Sequence, residues 1–189
     1  MRRMIAAAAS FCLAAAALGH ITPNVELVRK GDFLKQSLPG ATKFFERHLM
    51  ISGPDGAAIQ AATNWSPSEE DTRVYVGRDE NKKLVGLVVF LWMPSQHGPV
   101  GVAVAFDPAR TVRRVAVTDV GSEPLAWVRT LVDGGGLKQL EGLPAGSAPD
   151  PGRLAPADAG AMTRYYARVV ADAVIRAQRI AGLAVEEAP

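Results

Sequence analysis

Cysteine is almost missing from this sequence: its 189 residues contain one, Cys12, inside an apolar N-terminal run. A chain that loses this residue cannot form a disulfide, bind an iron–sulfur cluster or attach a c-type haem. Histidine is also scarce, and the three present (His20, His48 and His97) show no metal-ligand spacing such as H-x-x-x-H. The lack of cysteine thus excludes disulfides and two classes of cofactor.

The N-terminus has the parts of an export signal. Two arginines at positions 2 and 3 precede an uncharged, alanine-rich run over residues 4–19. Small residues at positions 17 and 19 predict cleavage between Gly19 and His20, which gives a signal peptide over 1–19 and a domain over 20–189. We expect a periplasmic or otherwise exported bacterial protein. The alternative is an uncleaved anchor, although the run is shorter than the roughly 20 apolar residues of a membrane span.

Removal of the signal peptide would also remove the net charge. The chain has 21 basic and 19 acidic side chains, and removal of the two leader arginines leaves 19 of each sign. A neutral domain gives no reason to expect binding to nucleic acid or to an anionic membrane surface. The remaining length suits one domain with a substantial core.

Hydrophobic periodicity predicts an α+β fold, with an antiparallel sheet flanked by helices. The expected elements are a helix over residues 42–51, a loop or short helix over 54–72, strands over 73–76, 84–92, 100–106 and 112–120, a helix over 124–132, a loop over 143–156 and a helix over 159–181. The last helix has the clearest apolar stripe, with arginines on its opposite side.

The histidines support different hypotheses. His48 falls on the apolar side of the expected helix over 42–51, so we interpret it as a partly buried structural residue. His97 lies in a Gln-His-Gly-Pro turn before a strand and would project at one end of the sheet, as a functional or an ordinary turn residue. His20 would begin the mature chain, where its ring and the α-amino group could chelate copper with a second histidine. Copper binding is a distant alternative.

The order of the elements and several strings resemble the exported FMN-binding domain family, which includes flavoprotein subunits of the Na+-pumping NADH:quinone oxidoreductase and Rnf complexes. The similar stretch covers residues 44–181. The strings are Val85-Gly86, His97-Gly98-Pro99 with residues 100–106, the strand over 112–118, and Gly121-Ser122-Glu123-Pro124. The resemblance implies an electron carrier or redox accessory rather than a stand-alone enzyme, with a membrane-linked redox protein or complex as its partner.

Members of that family attach FMN through a D-x-x-S/T-G-A-T segment at the start of the final helix, where the last threonine forms a phosphoester. The corresponding segment here keeps Gly160 and Ala161 but has Ala159 and Met162 at the two hydroxyl positions. Methionine has no hydroxyl, and Thr163 is rotated by about 100° from the acceptor position. The resemblance therefore implies noncovalent FMN.

In that arrangement the backbone amides of residues 160–163 would receive the phosphate, with the two nearby arginines assisting. His97 and Glu123 would lie near the flavin ring, on which Trp92, Trp127 or Tyr165 could stack. The candidate cofactor-binding residues are Gly160, Ala161, Met162, Thr163, His97, Glu123, Arg153 and Arg164. The broken attachment segment also supports a rival hypothesis, a degenerate flavin-free domain that serves as a protein-binding or assembly module.

Overall fold

The computed structural model of the chain describes residues 23–63, 65 and 72–186. It shows an α+β fold in which helices flank a six-stranded antiparallel sheet, and this confirms the expected fold class. The expected signal peptide and His20 lie outside the described residues. Among the described residues, no helix combines the length and apolar character needed to cross a membrane.

The strands lie in the order β1-β6-β5-β4-β3-β2 across the sheet, and each neighbouring pair is antiparallel. The strands are β1 (Asn24–Glu26), β2 (Lys43–Leu49), β3 (Thr72–Arg78), β4 (Leu84–Met93), β5 (Val100–Phe106) and β6 (Val112–Gly121). The helices are α1 (Lys30–Ser37), α2 (Gly53–Thr63), α3 (Leu125–Asp133), a 3-10 helix (Gly136–Leu140), α4 (Pro151–Leu154) and α5 (Ala161–Glu186).

The four central strands and the helices α3 and α5 occur where the sequence predicts them. The helix expected over residues 42–51 is wrong, because this segment forms β2 and pairs with β3 from Lys43↔Arg78 to Leu49↔Thr72. His48 consequently has 46% of its side chain exposed, so its interpretation as a partly buried helix residue is also wrong. Helix α2 falls within the region expected to be a loop or short helix.

Both faces of the sheet are covered by helix. On one face, α5 buries a stripe that includes Tyr166, Ala173 and Ile180 against β4 and β5. On the other face, α1 buries Phe33 and Leu38 over small strand residues. These small residues are Ala103, Ala105 and Ala116. Since their side chains are short, the short helix α1 can lie close to the sheet.

The 3-10 helix approaches α4 so closely that a side chain does not fit at Gly136. A Cβ atom added there would lie 1.7 Å from the carbonyl oxygen of Leu154. Leu137 and Leu140 of the same 3-10 helix are buried in the core, so the contact cannot open without exposing them. Gly136 therefore fixes the distance between the two segments.

We expect Gly136→Ala to lower the free energy of unfolding by about 1–3 kcal/mol, because the added methyl group displaces packed backbone. Gly31→Ala in α1 is the control, since a Cβ there meets nothing within 4 Å. The control should leave the free energy unchanged or raise it by up to about 1 kcal/mol. Chemical denaturation measures both values, and equal stability of the two variants would contradict the close approach.

Candidate functional site

The structure brings His97 and Glu123 together at one end of the sheet. His97 lies in the turn between β4 and β5, and Glu123 lies between β6 and α3. The Nδ1 atom of His97 is 2.9 Å from Oε1 of Glu123. Their side chains are 26% and 52% exposed, so the pair is open to solvent and to a ligand.

Ser95 and Gly98 hold the turn that carries His97. The Ser95 hydroxyl donates to the carbonyl oxygen of Gly98 at 2.5 Å and accepts from the His97 N–H at 3.4 Å. Gly98 has a φ of 97°, a conformation that favours glycine. The Gly in the His-Gly-Pro string is thus required by the backbone, and the turn directs the imidazole towards Glu123.

Four aromatic rings connect this turn to the beginning of α5. The rings of His97 and Trp127 are 5.2 Å apart, and Trp127 stacks at 6.3 Å on Tyr166. Tyr165 meets Tyr166 edge-on at 5.2 Å. Such contacts are favourable beyond the area that they bury, so they fix the relative positions of the turn, α3 and α5.

Hydrogen bonds reinforce the connection between the turn and α5. The Gln96 N–H donates to the hydroxyl of Tyr165 at 3.1 Å, and the hydroxyls of Ser95 and Tyr166 are 3.3 Å apart. Tyr166 is 1% exposed, and burial is the main cause that raises the pKa of its hydroxyl above the ordinary value. The hydroxyl therefore stays protonated and can donate a hydrogen bond.

The first turn of α5 lies beside an open depression of about 360 Å³, lined by Ala159, Gly160, Ala161, Arg164 and Arg168. Gly160 and Ala161 are exposed and Met162 is half-buried. Thr163 is 4% exposed, so its side chain is on the buried side of the helix. Hence a ligand in the depression would meet backbone and arginine side chains.

Arg164 already has a hydrogen-bond partner in this depression. Its Nε donates to the carbonyl oxygen of Ala159 at 2.8 Å, and its Nη2 donates to the same oxygen. A guanidinium has five N–H donors, so three remain after these two bonds. Arg164 can still contact an anion while its position is fixed by the backbone.

The remaining candidates lie apart from this site. Arg153 is exposed on α4 and does not line the depression. Trp92 is 60% exposed and lines a different cleft, together with Gly101 and Asp119. Arg168 and Tyr166 are not among the site residues that the sequence predicts. Arg168 lies one helical turn after Arg164, and that i,i+4 spacing was the signal that could have identified it.

Among the residues that the structure describes, no group of three or more His, Cys, Asp or Glu side chains could hold a metal ion. The copper hypothesis depends on His20, which lies outside them.

A second polar cluster lies on the sheet face that α1 partly covers. Lys30 donates from Nζ to the hydroxyl of Tyr75, which in turn donates to Oε2 of Glu46. Arg73 is 3.6 Å and His48 is 3.3 Å from Oε1 of the same carboxylate. The hydrogen bond from Tyr75 is the largest cause that lowers the pKa of Glu46. Burial, followed by the bond to Glu46, raises the pKa of Tyr75 to about 12.

This cluster predicts an alkaline loss of stability that Tyr75 controls. A phenol whose pKa rises from 10 to about 12 on folding stabilises the protein fully below pH 10, and that stabilisation is lost as the pH rises through 12. We expect the free energy of unfolding of the native chain, minus that of Tyr75→Phe, to fall over this interval. Denaturant titrations at a series of alkaline pH values measure it. A difference that is independent of pH would show that the phenol is not perturbed.

No protein-family model matches the chain, and no curated protein or solved structure matches it. The structure itself defines the class, an α+β protein with one antiparallel sheet. We infer its function from the cluster around His97 and from the beginning of α5.

Proposed function

We propose that the chain is an exported FMN-binding-type protein that carries electrons, or assists electron transfer, in a membrane-linked redox chain. The FMN is held noncovalently. One observation carries the proposal: His97 from the β4–β5 turn forms a cluster with Glu123 and Trp127 from the turn and helix that follow β6, and Tyr165 and Tyr166 connect this cluster to the start of α5. A planar ring at the cluster and a phosphate at the helix would occupy one continuous end of the fold.

The phosphate end has the features that an anion requires. The unpaired amides and the macrodipole at the beginning of α5, a helix of 26 residues, favour negative charge. Arg164 and Arg168 add two positive charges beside them. A Cβ atom placed on Gly160 would meet nothing within 4 Å, so the space next to the helix end is open. These features fit a phosphate monoester bound through backbone and guanidinium donors.

The ring end supplies a stacking surface and a fixed hydrogen-bonding group. Trp127 is half-buried, and its ring contacts those of Tyr166 and His97. Nδ1 of His97 is occupied by the contact with Glu123, at 2.9 Å. The other ring nitrogen, Nε2, is left to bond with a ligand. Such a group can orient a flavin and influence its potential, while the flavin supplies the electron chemistry.

The same residues do not fit covalent attachment. Met162 occupies the acceptor position and carries a thioether instead of a hydroxyl. Thr163, the next hydroxyl along the helix, is 4% exposed. Neither side chain can form a phosphoester in the depression, so any bound FMN should be released intact when the protein is denatured.

A flavin-free assembly module is the second candidate. Two observations favour it. Ala159 and Met162 replace the two hydroxyl residues of the attachment segment, and Arg164 donates two of its hydrogen bonds to the Ala159 carbonyl oxygen instead of to a ligand. In this case the aromatic cluster would serve to dock a partner protein of a redox complex.

A titration of the purified exported protein with FMN distinguishes the two candidates. We expect the flavin fluorescence to be quenched by stacking on Trp127, and Arg168→Ala to weaken FMN binding by about tenfold, the equivalent of about 1.4 kcal/mol. Riboflavin, which lacks the phosphate, should bind the native chain and Arg168→Ala equally. Arg153→Ala is the matched control, because Arg153 lies outside the depression.

Two results would count against the proposal. If FMN fails to bind the native chain, and none is released from the protein on denaturation, the flavin-free module is the better account. If Arg168→Ala weakens the binding of riboflavin as strongly as that of FMN, the phosphate does not bind at the beginning of α5.

A further inference from the structure

Strand β6 is paired along one side by β5 but is only partly paired on its outer side. At one end, β1 pairs with residues 119–121. The Leu27 N–H also donates to the carbonyl oxygen of Thr118 at 2.7 Å. Within the part of the chain that the structure describes, no strand pairs with the outer edge of residues 113–117.

The other end of this open edge is closed by the chain that follows the 3-10 helix. The Val112 N–H donates to the carbonyl oxygen of Leu143 at 2.9 Å, and its own carbonyl oxygen accepts from the Gly142 N–H at 2.8 Å. The open edge is therefore a window of five residues, bounded by backbone hydrogen bonds at both ends.

A groove of about 540 Å³ runs beside this window. The groove is lined by the half-buried Val132 of α3 and the buried Leu137 of the 3-10 helix. Leu27 and Val28, where the chain leaves β1, also line it. A strand edge presents peptide donors and acceptors that a water-filled groove leaves available for another backbone.

We propose that the edge of β6 over residues 113–117 binds an extended peptide segment of another protein as an added strand. In this segment, apolar residues alternate with acidic residues. Main-chain hydrogen bonds to β6 supply affinity, and the side-chain pattern supplies specificity, as in other cases of strand addition.

The alternation follows from the two sides of β6. Val115 and Val117 face the core under α3 and α5, whereas Arg114 and Ala116 face the side of α1. An added strand has the same alternation, so its residues on the first side meet apolar Val132. Its residues on the second side meet Arg114.

The charges around the groove favour an acidic segment. Arg114 uses one N–H for Gln36, at 3.0 Å, and its guanidinium keeps further donors. On the rim, the charged side chains are Arg129, Asp133, Lys138 and Glu141. These four belong to α3 and the chain that follows it, on the side that receives the apolar residues, and they balance two against two, so Arg114 on the side of α1 is the excess positive charge. Carboxylates on the segment would balance this excess.

A free segment fits the window better than a folded second copy of this chain. Five residues of strand extend over about 17 Å. A sheet edge from a second copy would bring its own β1 and its own chain around Gly142 into the same plane, where the first copy already has both. Only a strand without such flanking chain can enter the window.

Two synthetic heptapeptides test this proposal with the ¹⁵N-labelled full chain. One has the sequence Glu-Val-Glu-Val-Glu-Val-Glu, and the other has lysine at each glutamate position. We expect the acidic peptide to shift the amide resonances of residues 113–117 and to slow hydrogen exchange in that window. The lysine peptide should bind at least about tenfold more weakly.

Two variants locate the interaction. Arg114→Gln should weaken binding of the acidic peptide by about tenfold, because it removes the positive charge that the acidic side chains meet. Lys83→Gln is the control, since Lys83 is exposed in the turn between β3 and β4, away from β6, and it should have no effect. Neither readout involves flavin, so the result does not depend on the proposed function.

The proposal is overturned if the amides of residues 113–117 neither shift nor gain protection with the acidic peptide. It is also overturned if both peptides bind equally, or if Arg114→Gln and Lys83→Gln behave alike. A concentration-dependent dimer in sedimentation, with the amides of 113–117 protected in the absence of peptide, would assign the window to a second copy instead.

Discussion

The packing of α5 across the sheet determines where the remaining parts of the site can lie. This helix of 26 residues, about 39 Å long, buries a stripe of mostly small and β-branched side chains against β4 and β5. Such close packing leaves no freedom to slide, because a shift along the sheet would open cavities under Tyr166 and Ile180. The first turns of α5 are therefore held against the β4–β5 turn, where Tyr166 meets Trp127 and Ser95.

Helix α3 contributes to both proposed binding surfaces. Its first turn carries Trp127, which contacts His97, and its last turn carries Val132, which lines the groove beside β6. The two surfaces differ in the chemistry that they offer. The first combines aromatic rings with a cationic helix end and suits a small aromatic phosphate. The second is a strand edge beside a partly apolar groove and suits a polypeptide. A redox accessory that holds a flavin and docks on a partner requires both kinds of surface.

The central strands and α5 could be predicted from the sequence because each is long and buries a regular pattern. Strand β2 could not, since Leu49 is the one buried residue among its seven, and the spacing of Phe45, His48 and Leu49 fits a helix equally well. In the site, the proximity of His97 and Glu123 was expected from the family resemblance, and the structure shows them in contact. The role of Tyr166 could not be predicted, because it depends on how α5 lies on the sheet, whereas the i,i+4 spacing from Arg164 could have identified Arg168.

The central claim is that one FMN molecule extends from the first turn of α5 to the cluster of His97, Glu123 and Trp127. Resonance assignments followed through an FMN titration test it directly. The account predicts that the amides of Gly160 and Ala161 and the indole N–H of Trp127 shift together, with one dissociation constant. Shifts confined to other surfaces, or different dissociation constants for the helix end and the indole, would contradict it.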